Sequence, residues 1–205
     1  MRIYCFPPSP NSRKVLALAA HLGIALEARI VDLTKGESRK PEFLNLNPTG
    51  RTPVLVDGDF VLWESNAILQ YLAASRPSAV WPQDTRSRAD IMRWQSWQLA
   101  HWGVACGILV WEKLVKKLLN AGSLDANEVR RGEEMFHKEA AVLDAHLAAR
   151  EYLVNDALTI ADFAVASFLE YAQPAAMPVA KYPNIGRWYQ RVAALDAWRN
   201  TAPKM

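Results

Sequence analysis

Over residues 1–75, short apolar runs alternate with patterns of helical spacing. Arg2–Phe6 (RIYCF) is a β-prone run that stops at Pro7-Pro8-Ser9-Pro10-Asn11. Residues 11–22 then carry Val15, Leu16, Ala19, Ala20 and Leu22 at helical spacing. Ala28–Val31 predicts a second strand, and the polar stretch KGESRK leads into a short apolar helix around Phe43 and Leu44. Val54–Val56 and Phe60–Leu62 flank Asp57-Gly58-Asp59. An Asp-Gly pair between apolar runs predicts a hairpin, here with a three-residue loop. From Glu64 to about Ala74 a helix places Ala67, Ile68, Tyr71 and Leu72 on one face. The predicted order is β-α-β-α-β-β-α, a small α/β unit.

Residues 76–84 (RPSAVWPQD) hold two prolines and a polar end, which predicts a linker. No strand is predicted beyond it. Ser87–Leu119 is one long, Trp-rich helical pattern, and residues 125–150 set Phe136, Ala140, Leu143 and Leu147 on one stripe. Ile160–Tyr171 and Ile185–Leu195 are two further amphipathic segments. The chain therefore divides into an α/β domain over 1–75, a linker over 76–84 and an all-α domain over 85–205. Neither an internal repeat nor a low-complexity segment interrupts it.

Composition narrows the class. The 205 residues are 51% hydrophobic and 22% charged, a globular balance that argues against a disordered chain. No window approaches the roughly 18 uninterrupted apolar residues of a membrane helix, and MRIYCFPPSPNSRK lacks the apolar core of a signal peptide. Cys5 and Cys106 are the only cysteines, too few for a disulfide framework and not in a CxxC, which suits a reducing cytosol. A net charge of +3 is too small and scattered for nucleic acid, though it mildly favours small anionic ligands.

Asn47-Pro48-Thr49-Gly50-Arg51-Thr52-Pro53-Val54-Leu55-Val56-Asp57-Gly58-Asp59 is followed by Leu62-Trp63-Glu64-Ser65-Asn66-Ala67-Ile68. This pattern resembles the N-terminal thioredoxin-like domain of the cytosolic glutathione transferases. Ser9-Pro10-Asn11-Ser12-Arg13 is similar to the active-site loop of the Ser-type and Thr/Asn-type bacterial members. Leu158-Thr159-Ile160-Ala161-Asp162-Phe163 resembles a helix-start motif of the family's C-terminal domain. The likeness runs through nearly the whole chain in order and spacing.

Each piece also has a physical reading. Pro53 at a strand start cannot donate a ladder hydrogen bond, and a trans proline at an edge would satisfy the sequence. The resemblance implies a cis bond instead, which would turn the backbone of Thr52 outward to pair with the cysteinyl part of glutathione. Ser65, after Glu64, sits where a strand hands over to a helix, and a serine there reads first as a cap. A helix start with its N–H groups and dipole also suits a carboxylate. Resemblance assigns that carboxylate to the γ-glutamyl end of glutathione, with Glu64 near its ammonium. The glycine carboxylate would then fall to Ser38, Arg39 and Arg51, whose alternative is a solvated surface.

Ser9 is the candidate catalytic residue. No His or carboxylate lies nearby in sequence to make it a nucleophile, so donation of its hydroxyl hydrogen to the glutathione sulfur is the role that fits. Such a bond favours the thiolate, and the first helix's dipole acts the same way. Asn11 is a rival or partner donor and Ser12 a third candidate; for Ser9 and Asn11 helix capping is the alternative. Thr159-x-x-Asp162 reads as a capping box with Leu158 and Phe163 at the staple positions, a structural device.

The remaining candidates are plainer. Cys5 and Cys106 read as buried thiols, and His21, His101, His137 and His146 have no metal-ligand spacing. Trp94, Trp97, His101 and Trp102 suit a core or dimer interface. By resemblance, Trp102, Cys106 and Trp111 would line an apolar electrophile pocket. Lys113, Lys116 and Lys117 read as a solvated basic face.

The resemblance implies a cytoplasmic, homodimeric detoxification enzyme. It would add the glutathione thiolate to a small apolar electrophile, with glutathione as co-substrate, no metal or other cofactor, and neither nucleic acid nor membrane as partner. Glutathione-dependent disulfide reduction or dehalogenation would use the same loop. A non-catalytic binding or assembly module is the reading of a different class, and intact Ser9, Thr52-Pro53 and Glu64-Ser65 weigh against it.

Overall fold

The structure, a computed structural model, describes residues 1–202. It divides into two units, one formed by Met1–Trp81 with the C-terminal stretch from Ala194, the other by Pro82–Ala193.

In the first unit, β1 (Arg2–Cys5), β2 (Glu27–Ile30), β3 (Val54–Asp57) and β4 (Phe60–Trp63) form one mixed sheet in the order β2-β1-β3-β4. β1 runs parallel to β2 and antiparallel to β3, and β3 pairs antiparallel with β4. The parallel pair requires a crossover, supplied by α1 (Pro10–His21). α2 (Pro41–Leu44) and α3 (Ser65–Ala74) follow in the predicted places. This is the α/β order that the sequence predicts and the thioredoxin-like arrangement that the resemblance implies.

Strand alternation sorts the side chains. Ile3 and Cys5 are fully buried, as are Val15 and Leu18 of α1 and Ile68 and Leu72 of α3. Tyr4 lies between them on the opposite face and meets Val31, Phe43, Val54 and Leu46 in a smaller cluster. The β3–β4 turn is tighter than predicted. Asp57 pairs with Phe60, leaving a two-residue loop, with Gly58 at φ 62° in its first position. There a Cβ would be strained, so glycine suits the turn.

The second unit is helical. α4 (Thr85–Trp97), α5 (Gly103–Val110) and α6 (Lys116–Leu119) continue one another through π-helical turns at Gln98–Trp102 and Trp111–Val115. Asp84 caps α4 by accepting from Ser87 N at 2.8 Å. α7 (Ala126–His146) carries the predicted apolar stripe, with Phe136, Ala140 and Leu143 fully buried. α8 (Ile160–Ala166) and α9 (Pro183–Ala193) complete the unit.

Two expectations change here. Residues 194–202 belong with the first unit, whereas the sequence predicts them in the all-α domain over 85–205, whose last three positions lie outside the described residues. α10 (Asp196–Asn200), too short to show periodicity, packs on α1. Arg13 donates to Trp198 O and Thr201 Oγ1, both at 2.5 Å, and its guanidinium lies 4.6 Å from the Trp198 ring centroid. Nor are all three lysines solvated. Lys113 pairs with Glu133 and Lys116 with the buried Glu112, each at 2.7 Å, because α7 brings Glu133 to that face and Glu112 lies one turn back from Lys116 on the same helical stretch.

Candidate functional site

The polar residues singled out in the first unit converge on two helix starts and one loop. Ser9 is the N-cap residue of α1, with extended backbone (φ −75°, ψ 131°) and Pro10 in the first helical position. Its hydroxyl makes no capping bond. The capping alternative for Ser9 therefore does not hold, and the hydroxyl remains partly exposed at the positive end of the helix dipole. Ser12 is different. It is fully buried and its Oγ accepts from Phe6 N at 3.2 Å, tying the loop after β1 to α1.

Asn11 joins the two helix starts. Its Oδ1 accepts from Ser65 Oγ at 3.3 Å, so the amide hydrogens are the end left for another partner. One turn further along α1, Lys14 Nζ donates to Asn66 Oδ1 at 2.6 Å. Residues i and i+3 share a helix face, so α1 holds consecutive residues of α3. Lys14 is fully buried, and burial lowers its pKa to about 7 against the opposing pull of Glu64.

Glu64 has φ 71° and ψ 109°, a conformation that side-chain-bearing residues seldom adopt. Its carboxylate is exposed and does not cap α3. Ser65 behind it is 5% exposed. The strained residue at the cap thus brings an acidic side chain beside an uncapped helix start, an arrangement that belongs to sites more than to scaffolds.

The loop before β3 is organised by Asn47, which is 2% exposed. Its Oδ1 accepts from Thr49 N at 3.0 Å and Thr49 Oγ1 at 2.9 Å, and its Nδ2 donates to Arg51 O at 2.7 Å. Asx geometry of this kind closes a turn. The Thr52–Pro53 bond is cis, as the resemblance implied. Paired register begins at Val54, so Thr52 stands ahead of the ladder, and its buried Oγ1 has no hydrogen-bond partner.

Arg39 donates to Thr49 O at 3.3 Å and lies so close to Gly50 that a Cβ there would come within 2.5 Å of its Nη1. Gly50 also has φ 64°, a second reason for glycine. Ser38 is buried below Arg39, whereas Arg51 is exposed and contributes its carbonyl to the loop. Ser9, Asn11 and Ser65 are thus gathered at the helix starts of the first unit, while Arg39, from the turn Glu37–Arg39, touches the loop that carries Arg51.

The proposed electrophile-pocket residues lie in the second unit. Trp102 and Cys106 are fully buried, and Trp102 Nε1 donates to Val165 O at 3.0 Å. Trp102 stacks on Trp97 and meets Phe136 at 5.0 Å between ring centroids. Burial raises the Cys106 thiol well above its ordinary value. These two are core, because Gly103–Val110 is apolar all round and α5 packs against α7. Trp111 is 44% exposed and can meet a ligand.

Comparison with known proteins identifies the family. A family model described as "Glutathione S-transferase, N-terminal domain" matches residues 1–74, and one described as "Glutathione S-transferase, C-terminal domain" matches residues 108–196. Glutathione S-transferase 3 of Zea mays is 37% identical over 207 residues, covering 98% of this chain and 92% of its own. Glutathione S-transferase theta-2B of Homo sapiens is 32% identical over 191 residues, covering 91% of this chain and 78% of its own. The theta-class enzyme of Xanthomonas axonopodis pv. citri, solved with glutathione bound, superposes with a TM-score of 0.90 at 30% identity. That match covers 100% of this chain and 97% of the other.

Proposed function

The chain belongs to the glutathione S-transferase family, and from that membership we propose that it adds the glutathione thiolate to a small apolar electrophile, with Ser9 as the thiolate-stabilising donor. The observation that carries this reading is the Ser9 hydroxyl, placed at the start of α1 and left out of capping. A donor so placed favours the charged sulfur, as does the helix dipole. The thiol proton leaves to solvent, and the sulfur lone pair forms the new bond to the electrophilic carbon as a leaving group departs to solvent with its bonding pair, or, in an addition, as the π bond breaks and the neighbouring atom takes its pair and a proton from solvent.

Ser65 and the start of α3 receive the γ-glutamyl carboxylate, with Glu64 beside the neighbouring ammonium. Thr52 presents its backbone to the cysteinyl segment, beside Pro53. Ser38, Arg39 and Arg51 face the glycine carboxylate, with Arg39 oriented by Thr49 O. Asn11 assists Ser9 through its amide hydrogens. Glutathione is the co-substrate, and no further cofactor is needed for a substitution or addition at carbon.

The working form is a cytoplasmic homodimer. Exposed apolar side chains on each unit suit such an assembly: Phe60 and Trp63 on β4 are 45% and 39% exposed, and Met92 on α4 is 48% exposed. Cys5 and Cys106 are free thiols, consistent with a reducing compartment. No helix among the described residues is long and apolar enough to cross a membrane.

The test is a panel of small apolar electrophiles and disulfides incubated with glutathione, with products identified by mass spectrometry. Thioether conjugates are the expected products. Disulfide reduction without conjugation would replace the reaction, and no calorimetric binding of millimolar glutathione would replace the enzyme by an assembly module.

A further inference from the structure

We propose that Lys14 is an electrostatic positioning residue of the glutathione site: a buried ammonium, tied through Asn66 to the start of α3, that acts as counter-charge to the carboxylate held at Ser65. The proposal rests on the placement of the γ-glutamyl carboxylate at Ser65 given above.

A fully buried lysine needs a reason, because desolvating an ammonium costs several kcal/mol unless something compensates it. Lys14 Nζ donates to the neutral Asn66 Oδ1 at 2.6 Å. Asn66 follows Ser65 directly, and Asn11, on the same face of α1, accepts from the Ser65 hydroxyl. The ammonium is thereby fastened to the residue next to the carboxylate's seat, in a setting where solvent screens little.

Among the described residues, few charged groups sit on α3, α10 and β1 around α1. From α3 the acidic group is Glu64 at its cap, and this carboxylate already acts on Lys14, opposing the lowering by burial. The remaining titratable side chain of α3, Tyr71, donates to Asp57 at 2.8 Å. From α10, Asp196 and Arg199 bond each other at 2.5 Å. On α1 itself, Arg13 turns to Trp198 and His21 lies at the far end of the helix. Cys5 of β1 is a thiol that burial pushes up to about 11, neutral across the relevant range.

With its pKa near 7, Lys14 is only partly charged at neutral pH in the free protein. A carboxylate arriving at Ser65 adds a second negative charge beside the one at Glu64 and shifts Lys14 towards its protonated form. Binding then draws in a proton. A lysine that served packing alone would give no such uptake.

S-methylglutathione is the probe, because it keeps both carboxylates and has no thiol to titrate. Its affinity for the wild-type protein is measured by calorimetry between pH 6 and pH 8.5, in buffers of different ionisation enthalpy. A one-unit rise in the Lys14 pKa on binding, about 1.4 kcal/mol, weakens affinity roughly five- to tenfold across that range and gives proton uptake near pH 7.5. Lys14→Met should bind more weakly at pH 6, with a flat profile and no uptake.

If Lys14→Met does not fold, the wild-type proton uptake still decides, with Asn66→Ala as the second variant. An affinity profile that is the same in wild type and Lys14→Met, or wild-type binding without proton uptake, overturns the proposal while leaving the glutathione site in place. No binding of S-methylglutathione or glutathione by the wild type at any pH overturns the site itself.

Discussion

The helix starts of α1 and α3 and the helix start of α8 use similar residue types to opposite ends. At α8, Thr159 Oγ1 accepts from Ala161 N at 3.3 Å, and Asp162 Oδ2 accepts from Thr159 N at 2.8 Å. Asp162 Oδ1 also takes Leu153 N at 3.0 Å and Trp188 Nε1 at 2.9 Å. Both residues are fully buried, and their polar atoms are spent within the protein. At α1, Ser9 is the cap residue but its hydroxyl makes no capping bond; at α3, Glu64 is the cap residue and its carboxylate is exposed. The contrast teaches that Ser, Thr, Asp or Glu near a helix start identifies neither a cap nor a site. Whether the side chain's hydrogen bonds close inside the protein does.

The sharpest break in this contrast is Asp162→Ala. It leaves the buried Trp188 Nε1 and Leu153 N–H without their acceptor, at about 1–3 kcal/mol each, and also removes one arm of the capping box. A loss of roughly 3 kcal/mol or more is expected in denaturant unfolding, with glutathione affinity unchanged in the molecules that fold. The pH dependence has a definite sign. Burial raises Asp162 to about 6, so the folded state binds its proton more tightly than the unfolded state. That share of stability is full below about pH 4 and is lost as pH rises through 6. The wild type minus Asp162→Ala stability difference should therefore decline over this window; a difference that rises would mean that these three hydrogen bonds and a fourth, donated by Thr159 Oγ1 at 3.1 Å, outweigh desolvation.

Ser9→Ala comes next, read in activity. One charge-assisted hydrogen bond is worth about 1.5–3 kcal/mol, or roughly one to two pKa units on the bound thiol. Conjugation at neutral pH should fall by about ten- to a hundredfold and partly recover as pH rises, while glutathione affinity stays close to wild type. Asn11→Ala should lose less. If Asn11→Ala instead loses the thiolate titration and Ser9→Ala keeps it, the donor is Asn11 and disulfide chemistry becomes the better reading.

Much of this was legible because it is local. The β-prone run Arg2–Phe6, the helical spacing of residues 11–22 and the Asp57-Gly58 turn each lie within one window, and each predicted its element. Thr159 and Asp162 are three residues apart, so their box could be read directly. The tie between Lys14 and Asn66 spans 52 positions, and a lysine in a helix looks like a solvated one until the fold buries it. Likewise Trp188 reaches Asp162 across 26 positions, which turns a cap into a core network. Asn47 was missed although its signal is short-range, an Asx turn to Thr49 inside the quoted motif. The resemblance places Trp102 and Cys106 in a pocket, and helical spacing does not show that the fold buries both in the core.

The smallest effects test the comparison most directly. Thr159→Ala removes a cap whose bonds are made, and should cost about 0.5–2 kcal/mol of stability without touching glutathione affinity. Ser9→Ala removes a residue at the same position of a helix, but no capping bond is lost. Its effect on stability should stay within about 0.5 kcal/mol, the range of a substitution away from packed or bonded features. The two variants thus exchange roles: one loses stability and keeps binding, the other keeps stability and loses chemistry. Denaturant midpoints measured side by side, without ligand, decide it. Should Ser9→Ala cost as much as Thr159→Ala, the Ser9 hydroxyl caps α1 in solution, and it would have to give up that bond before it could reach the sulfur.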